Sequence, residues 1–242
     1  MMDNRKFVKK MENKAPFTHP SLFLSHYLDR KLFETVAAPF QLKPQHWAKG
    51  SLLTTPGQIN NTTYYVCSGI LHLSVTHSSG KRKGMALLGA DTVFPMGVVP
   101  HENPIDYEME ITAVTDVQAY AFSYPVLRRM CVASGEFAAQ LLEQNCDFVG
   151  TIFYQEMNQA YATAYTRVCD VLYLYGQVVS RAAQEFTLTQ AELAELAGTS
   201  LPQLERALKS LRAAGILETS RMHFVIKDPQ RLLQECSDDF RP

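Results

Sequence analysis

LTQAELAELAGTSLPQLERALKSLRAAGIL, residues 188–217, carries two helix starts and one enforced turn within thirty residues. Thr189 followed three residues later by Glu192 is a capping box, in which side chain and backbone satisfy each other's free amides. Leu193, Leu196 and Ala197 then form an apolar face, and Gly198 ends the helix where a positive φ is needed. Thr199 or Ser200 caps a second helix, Pro202 sits in its first turn, and Leu204, Leu208 and Leu211 give it a core face. Ala194 and Gly198 are small where the two helices approach, which makes the pair a helix-turn-helix. AAGILETSRMHFVIKD, residues 213–228, follows with two short strands about a turn at Ser220-Arg221, the pattern of a wing. Arg206, Lys209 and Arg221 can reach phosphates or base edges while the leucines bury the opposite face. Thr189, Gln190, Ser200, Leu201 and Gln203, at or near the leading ends of the helices, complete the expected DNA-facing set.

Composition neither adds to this reading nor opposes it. Lys and Arg number 23 against 24 Asp and Glu, so any affinity for a polyanion must come from local clustering of charge. No apolar run approaches the roughly 20 residues that span a bilayer. The start, MMDNRKFVKKMENK, is basic without an apolar segment, so a cytoplasmic location is expected. The five cysteines are scattered and never spaced C-x-x-C, which argues against a disulfide framework or zinc site. Cys146 and Cys169 read as small apolar packers on helices. No enzymatic constellation is visible: His72, His77 and His101 lack the spacing a barrel metal site needs, and no metal is expected.

Residues 1–15 read as a basic flexible arm, and PSLFLSHYLDRKLFETV (20–36) as one or two brief helices. From 42 to 123 the chain breaks into short β-rich pieces, with Gly57, Gly69, Gly80, Gly89 and Gly97 as turn signals of a β-barrel or roll. HSSGKRK (77–83) is a hairpin tip, and EMEITAVTDVQAYAF (108–122) supplies two strands around Thr115-Asp116. Helix returns with YPVLRRMCVA (124–133) and a run from 134 to about 160. In that run Leu141, Asn145, Phe148, Ile152, Gln155 and Gln159 recur at spacings of three and four. Such a seam is either the core-facing stripe of a buried helix or a parallel dimer contact with Asn145 and Gln155 setting register. A further helix is expected over 164–180, carrying Val168, Leu172, Leu174 and Tyr175.

Together, YYVCSGILHL, the SGK hairpin, the long helix and the 188–217 stretch resemble a Crp/Fnr-type transcription regulator. The resemblance implies an α+β chain: an effector-sensing, cyclic-nucleotide-binding-like β-roll with short flanking helices (16–133), a dimerisation helix (134–162) and a winged helix-turn-helix (163–242). It turns the 141–159 seam into an expected homodimer interface. The partners it implies are a palindromic double-stranded DNA site, a small-molecule effector and RNA polymerase, with no membrane. Members commonly place an Arg-Glu or similar polar pair at the front of the recognition helix. Leu201 and Pro202 stand there instead, and leucine can touch a thymine methyl but cannot bond guanine bidentately. Arg206 matches the family arginine one turn on and is the first candidate for a base contact, Gln203 the second. The operator is therefore expected to be richer in A·T opposite Leu201.

Nucleotide-binding members hold a cyclic phosphate with Gly-Glu-Leu and a following Arg-Ser or Arg-Thr. The corresponding FPMGVVPHENPIDYEMEITAV (94–114) has neither, and no Lys or Arg occurs from Gly84 through Leu127. A phosphate there would lack a cationic partner. The first cysteine is Cys67, which excludes the amino-terminal cluster of the iron-sulfur branch. Haem would need Cys67, His72 or His77 as axial ligands, and on one regular strand Cys67 and His72 would face opposite ways. No cofactor is therefore expected; a haem- or redox-responsive regulator, or a sensor that has lost DNA binding, are the rival readings. A small, apolar or aromatic organic effector remains, with Phe94, Met96, Tyr107, Met109, Phe148 and Ile152 as its lining. The same six residues could equally fill the core of the roll.

Overall fold

Two four-stranded sheets face each other in the first half of the chain, in a computed structural model that describes residues 23–24, 26–54, 62–95, 107–179 and 185–237. One sheet has the order β1 (Phe23–Leu24), β5 (Arg82–Leu88), β4 (Leu71–His77), β7 (Tyr107–Ala113). The other runs β2 (Pro44–Trp47), β8 (Val117–Ser123), β3 (Thr62–Ser68), β6 (Thr92–Phe94). Alternation along the strands sends Tyr64, Val66, Leu71, Leu73, Ala86, Leu88, Ile111 and Ala119 inward, where they form one apolar cluster. The expected tip at 77–83 closes β4 onto β5, with His77 donating its N–H to the Lys81 carbonyl at 2.9 Å. Gly57 and Gly97 lie outside the described residues, as does the expected arm at 1–15.

Of the brief helices expected in 20–36, one forms, α1 (Arg30–Ala37), capped by Asp29, whose carboxylate accepts from the Leu32 N–H at 3.0 Å. Phe23 and Leu24 instead pair in parallel with Leu87 and Leu88 of β5. Two apolar residues are too short a run to show period, and the paired sheet edge decides their conformation. Phe33 of α1 stacks on Tyr65 with ring centroids 3.6 Å apart and seals the second sheet from outside. Asp91 ties the corner together, accepting from Arg30 Nε at 2.9 Å and Tyr65 Oη at 2.8 Å.

Helix α2 (Tyr124–Ala133) carries Pro125 in its first turn, and Ser134 caps the long α3 (Gly135–Tyr161) by accepting from the Phe137 N–H at 3.2 Å. The α3 face turned to its own chain carries buried Phe137, Leu141, Gln144, Thr151 and Gln155. Gln144 accepts from the Val93 N–H and donates to the Val93 carbonyl, and Gln155 donates to the Met85 carbonyl at 2.6 Å. The 141–159 seam is thereby corrected: Leu141 and Gln155 are committed to intrachain contacts, so Gln155 is not a register residue between two chains. Asn145 and Gln159 are exposed, and Phe148 and Ile152 half-buried.

Helix α4 (Ala164–Val179) buries Val168, Leu172 and Tyr175 under α5 (Gln190–Leu196) and α6 (Leu201–Ala213). The wing is β10 (Leu217–Ser220) and β11 (His223–Ile226) joined by Arg221 and Met222, one residue later than the expected turn. Met222 has φ 61 there, and its carbonyl accepts from the Leu188 N–H at 3.0 Å, which fixes the reversal at that pair. A third strand, β9 (Glu185–Thr187), pairs with β11, and α7 (Pro229–Glu235) closes the fold against α4. Neither was expected. Three residues carry no readable period, and α7 is held through Leu232 and Cys236 in the core.

Candidate nucleic-acid interface

Both caps of the helix-turn-helix form. Thr189 Oγ1 accepts from the Glu192 N–H at 3.1 Å while the Glu192 carboxylate accepts from the Thr189 N–H at 2.7 Å. Gln203 Oε1 accepts from the Ser200 N–H at 3.3 Å, from Ser200 Oγ at 2.9 Å and from Thr199 Oγ1 at 3.0 Å. Ser200 is thus the cap of α6, and the oxygen of Gln203 is engaged in holding it. Gly198 sits at φ 55, and a Cβ there would stand 2.7 Å from Gln159 Nε2 of α3. The backbone conformation therefore favours glycine at this turn, and a side chain there would also have to push the Gln159 amide aside.

Leu193, Leu204, Leu208 and Leu211 are fully buried, each contributing roughly 1.5–3 kcal/mol of apolar burial. The opposite face of α6 is open. Leu201, Pro202, Gln203, Arg206 and Lys209 are exposed, and Arg206 Nε rests on the Pro202 carbonyl at 3.2 Å. Arg221 is exposed at the wing tip, and Arg212 links helix to wing through Thr219 Oγ1 at 2.9 Å. Gln190 is exposed at the start of α5, while the Thr189 and Ser200 hydroxyls are turned into their caps. A helix presenting two cations beside a basic wing tip matches the phosphate and base-edge chemistry of a major-groove reader.

Sequence reasoning missed Arg167. Its guanidinium donates to the Ala162 carbonyl at 2.8 Å, the Ala197 carbonyl at 3.0 Å and the Gly198 carbonyl at 3.1 Å. One side chain thus joins the end of α3 to the turn between α5 and α6. Burial lowers its pKa somewhat, against the pull of Asp170. Asp170, buried, accepts from the Ser237 N–H at 2.8 Å, and burial raises its carboxyl above the usual range. A lone arginine at a helix start has no sequence signal to distinguish it from a solvated one.

In the roll, Phe94, Met109 and Phe148 join one apolar cluster, with the Phe94 and Phe148 rings 5.2 Å apart. Ile152 is half-buried on the same helix as Phe148. Met96 and the Tyr107 side chain lie outside the described residues. Cys67 and His72 stand on different strands of different sheets, β3 and β4, so the single-strand picture is corrected. Cys67 packs near Phe33 and Tyr65, whereas His72 faces α5. Cys169 is buried as expected, but Cys146 is exposed on α3 and so is not the core packer expected from sequence. No group of three metal-binding side chains occurs among the described residues. Nor, among them, is any helix long and apolar enough to cross a membrane.

The cyclic nucleotide-binding domain family matches residues 44–134 and the Crp-like helix-turn-helix domain family residues 166–235, together about two thirds of the chain. The chain belongs to the Crp/Fnr family of transcription regulators. The transcriptional activator protein FnrL of Cereibacter sphaeroides is 23% identical over 184 residues, covering 72% of each chain. A Crp/Fnr regulator from Eubacterium rectale superposes with a TM-score of 0.70 at 18% identity, covering 86% of this chain and 94% of that one. The c-di-GMP-responsive global regulator Clp of Xanthomonas campestris gives 0.67 at 18% identity, covering 82% and 99%. At such identities the two structures establish the fold of this Crp/Fnr regulator: roll, long helix and reading head in that order.

Proposed function

We propose that this regulator acts as a homodimer through the outer face of α3. Leu142, Cys146, Val149, Phe153 and Met157 lie along that face at spacings of three and four, with Leu142 63% and Phe153 66% exposed. This stripe carries the reading: a 27-residue helix has its inner face satisfied by its own roll and a second apolar face bare. It lies one residue round from the seam expected from sequence. A parallel pairing of two such helices presents two α6 helices, which must stand about 34 Å apart to enter successive major grooves.

The dimer reads a palindromic site, with Arg206 on a base edge, Lys209 and Arg221 on phosphates, and Leu201 favouring a thymine methyl. Thr189, Gln190 and Ser200 lie along the same approach, and Gln203 supports the cap before it contacts a base. The effector is a small apolar or aromatic organic molecule, taken up beside Phe94, Met109, Phe148 and Ile152, with Met96 and Tyr107 as further lining. No Lys or Arg occurs from Gly84 to Leu127 to pair with a phosphate, which favours an uncharged effector over an anionic nucleotide. Effector binding shifts the population of reading-head orientations by the difference in its affinity for them.

Size-exclusion chromatography with light scattering, followed by mobility shift on the gene's own upstream region, tests dimer and DNA binding together. A monomer at micromolar concentration that ignores every duplex at low salt would end the proposal. A thermal-shift screen of phenols and small aromatic acids identifies the effector by a raised melting temperature.

A further inference from the structure

The roll and the reading head touch directly, beside the last turns of the long helix. The outer face of β4 and β5 carries His72, Arg82, Gly84 and Leu87, and α5 lies across it. Leu87 belongs to the same apolar cluster as Leu193 and Leu196. Gly84 is the seat: a Cβ there would stand 2.9 Å from His72 Nε2, 3.1 Å from Leu196 Cδ2 and 3.3 Å from Leu196 Cα. A side chain on residue 84 would therefore separate the two bodies. Arg82 bridges them, bonding Ser74 Oγ at 3.0 Å and Glu110 at 3.1 Å within the roll and standing 3.7 Å from Glu195 of α5. Lys49 adds a bond to Thr187 Oγ1 at 2.6 Å.

At the centre of this contact His72 is 7% exposed, and its Nε2 finds no hydrogen-bond partner in the protein. Glu195 Oε1 is in the same condition, and these are the two such buried side-chain atoms among the described residues. A cleft of about 500 Å³ runs alongside, lined by both residues. Closing this face therefore strands polar atoms that water would satisfy once it opened. We propose that the face between the roll and α5 is a latch that acid releases, with His72 as the group that takes up the proton.

The charged groups around the ring fix the sign. Burial first, and then Arg82 of β5, hold the His72 imidazole down to about 4, against a smaller opposing pull from Glu192 of α5 and Glu110 of β7. Opened, the ring is hydrated and returns toward its ordinary value of about 6.5, so the open form binds a proton that the closed form refuses. Closure is complete above that value and weakens by about tenfold between pH 7.5 and 5.5. Glu195 answers in the other direction: burial raises its carboxyl, so the closed form holds that proton better. His72 responds first as pH falls from neutrality, because its open-state value lies higher than a carboxylate's.

Hydrogen exchange on the full-length protein, corrected for intrinsic rate, reads the latch in peptides spanning 82–88 and 192–197. They should be protected at pH 7.5 and lose protection together by about tenfold at pH 5.5, while the β3 core at 64–66 does not change. G84V should be open at both pH values, H72Q closed at both, and E195Q should open more steeply with acid than the parent. An acid response in H72Q as large as the parent's, or no acid response in the parent, overturns the proposal. The His72 ring titration by NMR decides independently of whether H72Q folds. A midpoint near 4 in the parent and near 6.5 in G84V supports the latch, and equal midpoints overturn it.

Discussion

Gln144 grips Val93 with both ends of its amide, accepting from the backbone N–H at 2.9 Å and donating to the carbonyl at 2.7 Å. β6 is an edge strand, so Val93 has no neighbouring strand on that side, and a helix side chain takes its place. Gln144→Leu strands both buried backbone groups and should cost about 2–4 kcal/mol in urea denaturation, with no change in the exposed face of α3. A cost under about 0.5 kcal/mol would show that the edge does not depend on this grip.

Cys146 offers a test of the proposed dimer. In the proposed parallel pairing through the outer stripe it would meet its counterpart across the dyad, so mild oxidation should give a covalent dimer that Cys146→Ser abolishes. Phe153→Glu removes a ring worth about 1.5–3 kcal/mol per copy and adds like charge, so the dimer dissociation constant should rise at least about a hundredfold. Sedimentation equilibrium measures it. Gln159→Glu, on the same helix but outside the stripe, should leave it unchanged.

On DNA, Arg206→Ala should cost about 1–3 kcal/mol and relax preference at one base pair of each half-site. Lys209→Ala should weaken binding evenly across sequences and reduce the salt slope by about 1. Leu201→Arg should move the preferred base opposite residue 201 toward guanine in a binding-site selection. A parent selection that already returns guanine there contradicts the thymine contact.

Asp91 sets an acid limit on the roll. Burial alone would raise its carboxyl, but hydrogen bonds from Arg30, Tyr65 and His26 more than offset this and hold it below the usual range. A lowered folded-state pKa stabilises above the unfolded value of about 3.9 and is lost as pH falls through the folded one. Asp91→Asn should therefore lower the melting temperature clearly at pH 7, with the gap to the parent narrowing toward pH 2–3.

The reading head was legible because its signals are local. A capping box, a glycine at φ 55 and leucines at helical spacing act within a few residues, and each is found where the sequence places it. The long helix was legible as a helix but not as a set of faces. Leu141 and Leu142 are adjacent and both apolar, and only the tertiary partner decides that 141 turns inward and 142 outward. Buried Gln144 and Gln155 look like solvent residues in a list of types, since their partners are backbone groups of strands far along the chain. The same holds for Gly84: its sequence neighbourhood reads as a strand glycine, and its reason is a leucine more than a hundred residues away.

Arg167 gives the junction its mechanical character. With its guanidinium fastened to carbonyls on both sides of the joint, the reading head cannot swivel freely at the end of α3. In the proposed mechanism a small roll of the long helix about its own axis would reach the DNA face as a turn of α6 through this joint. Removing that one side chain should then slacken the gearing between effector and operator while leaving each able to bind.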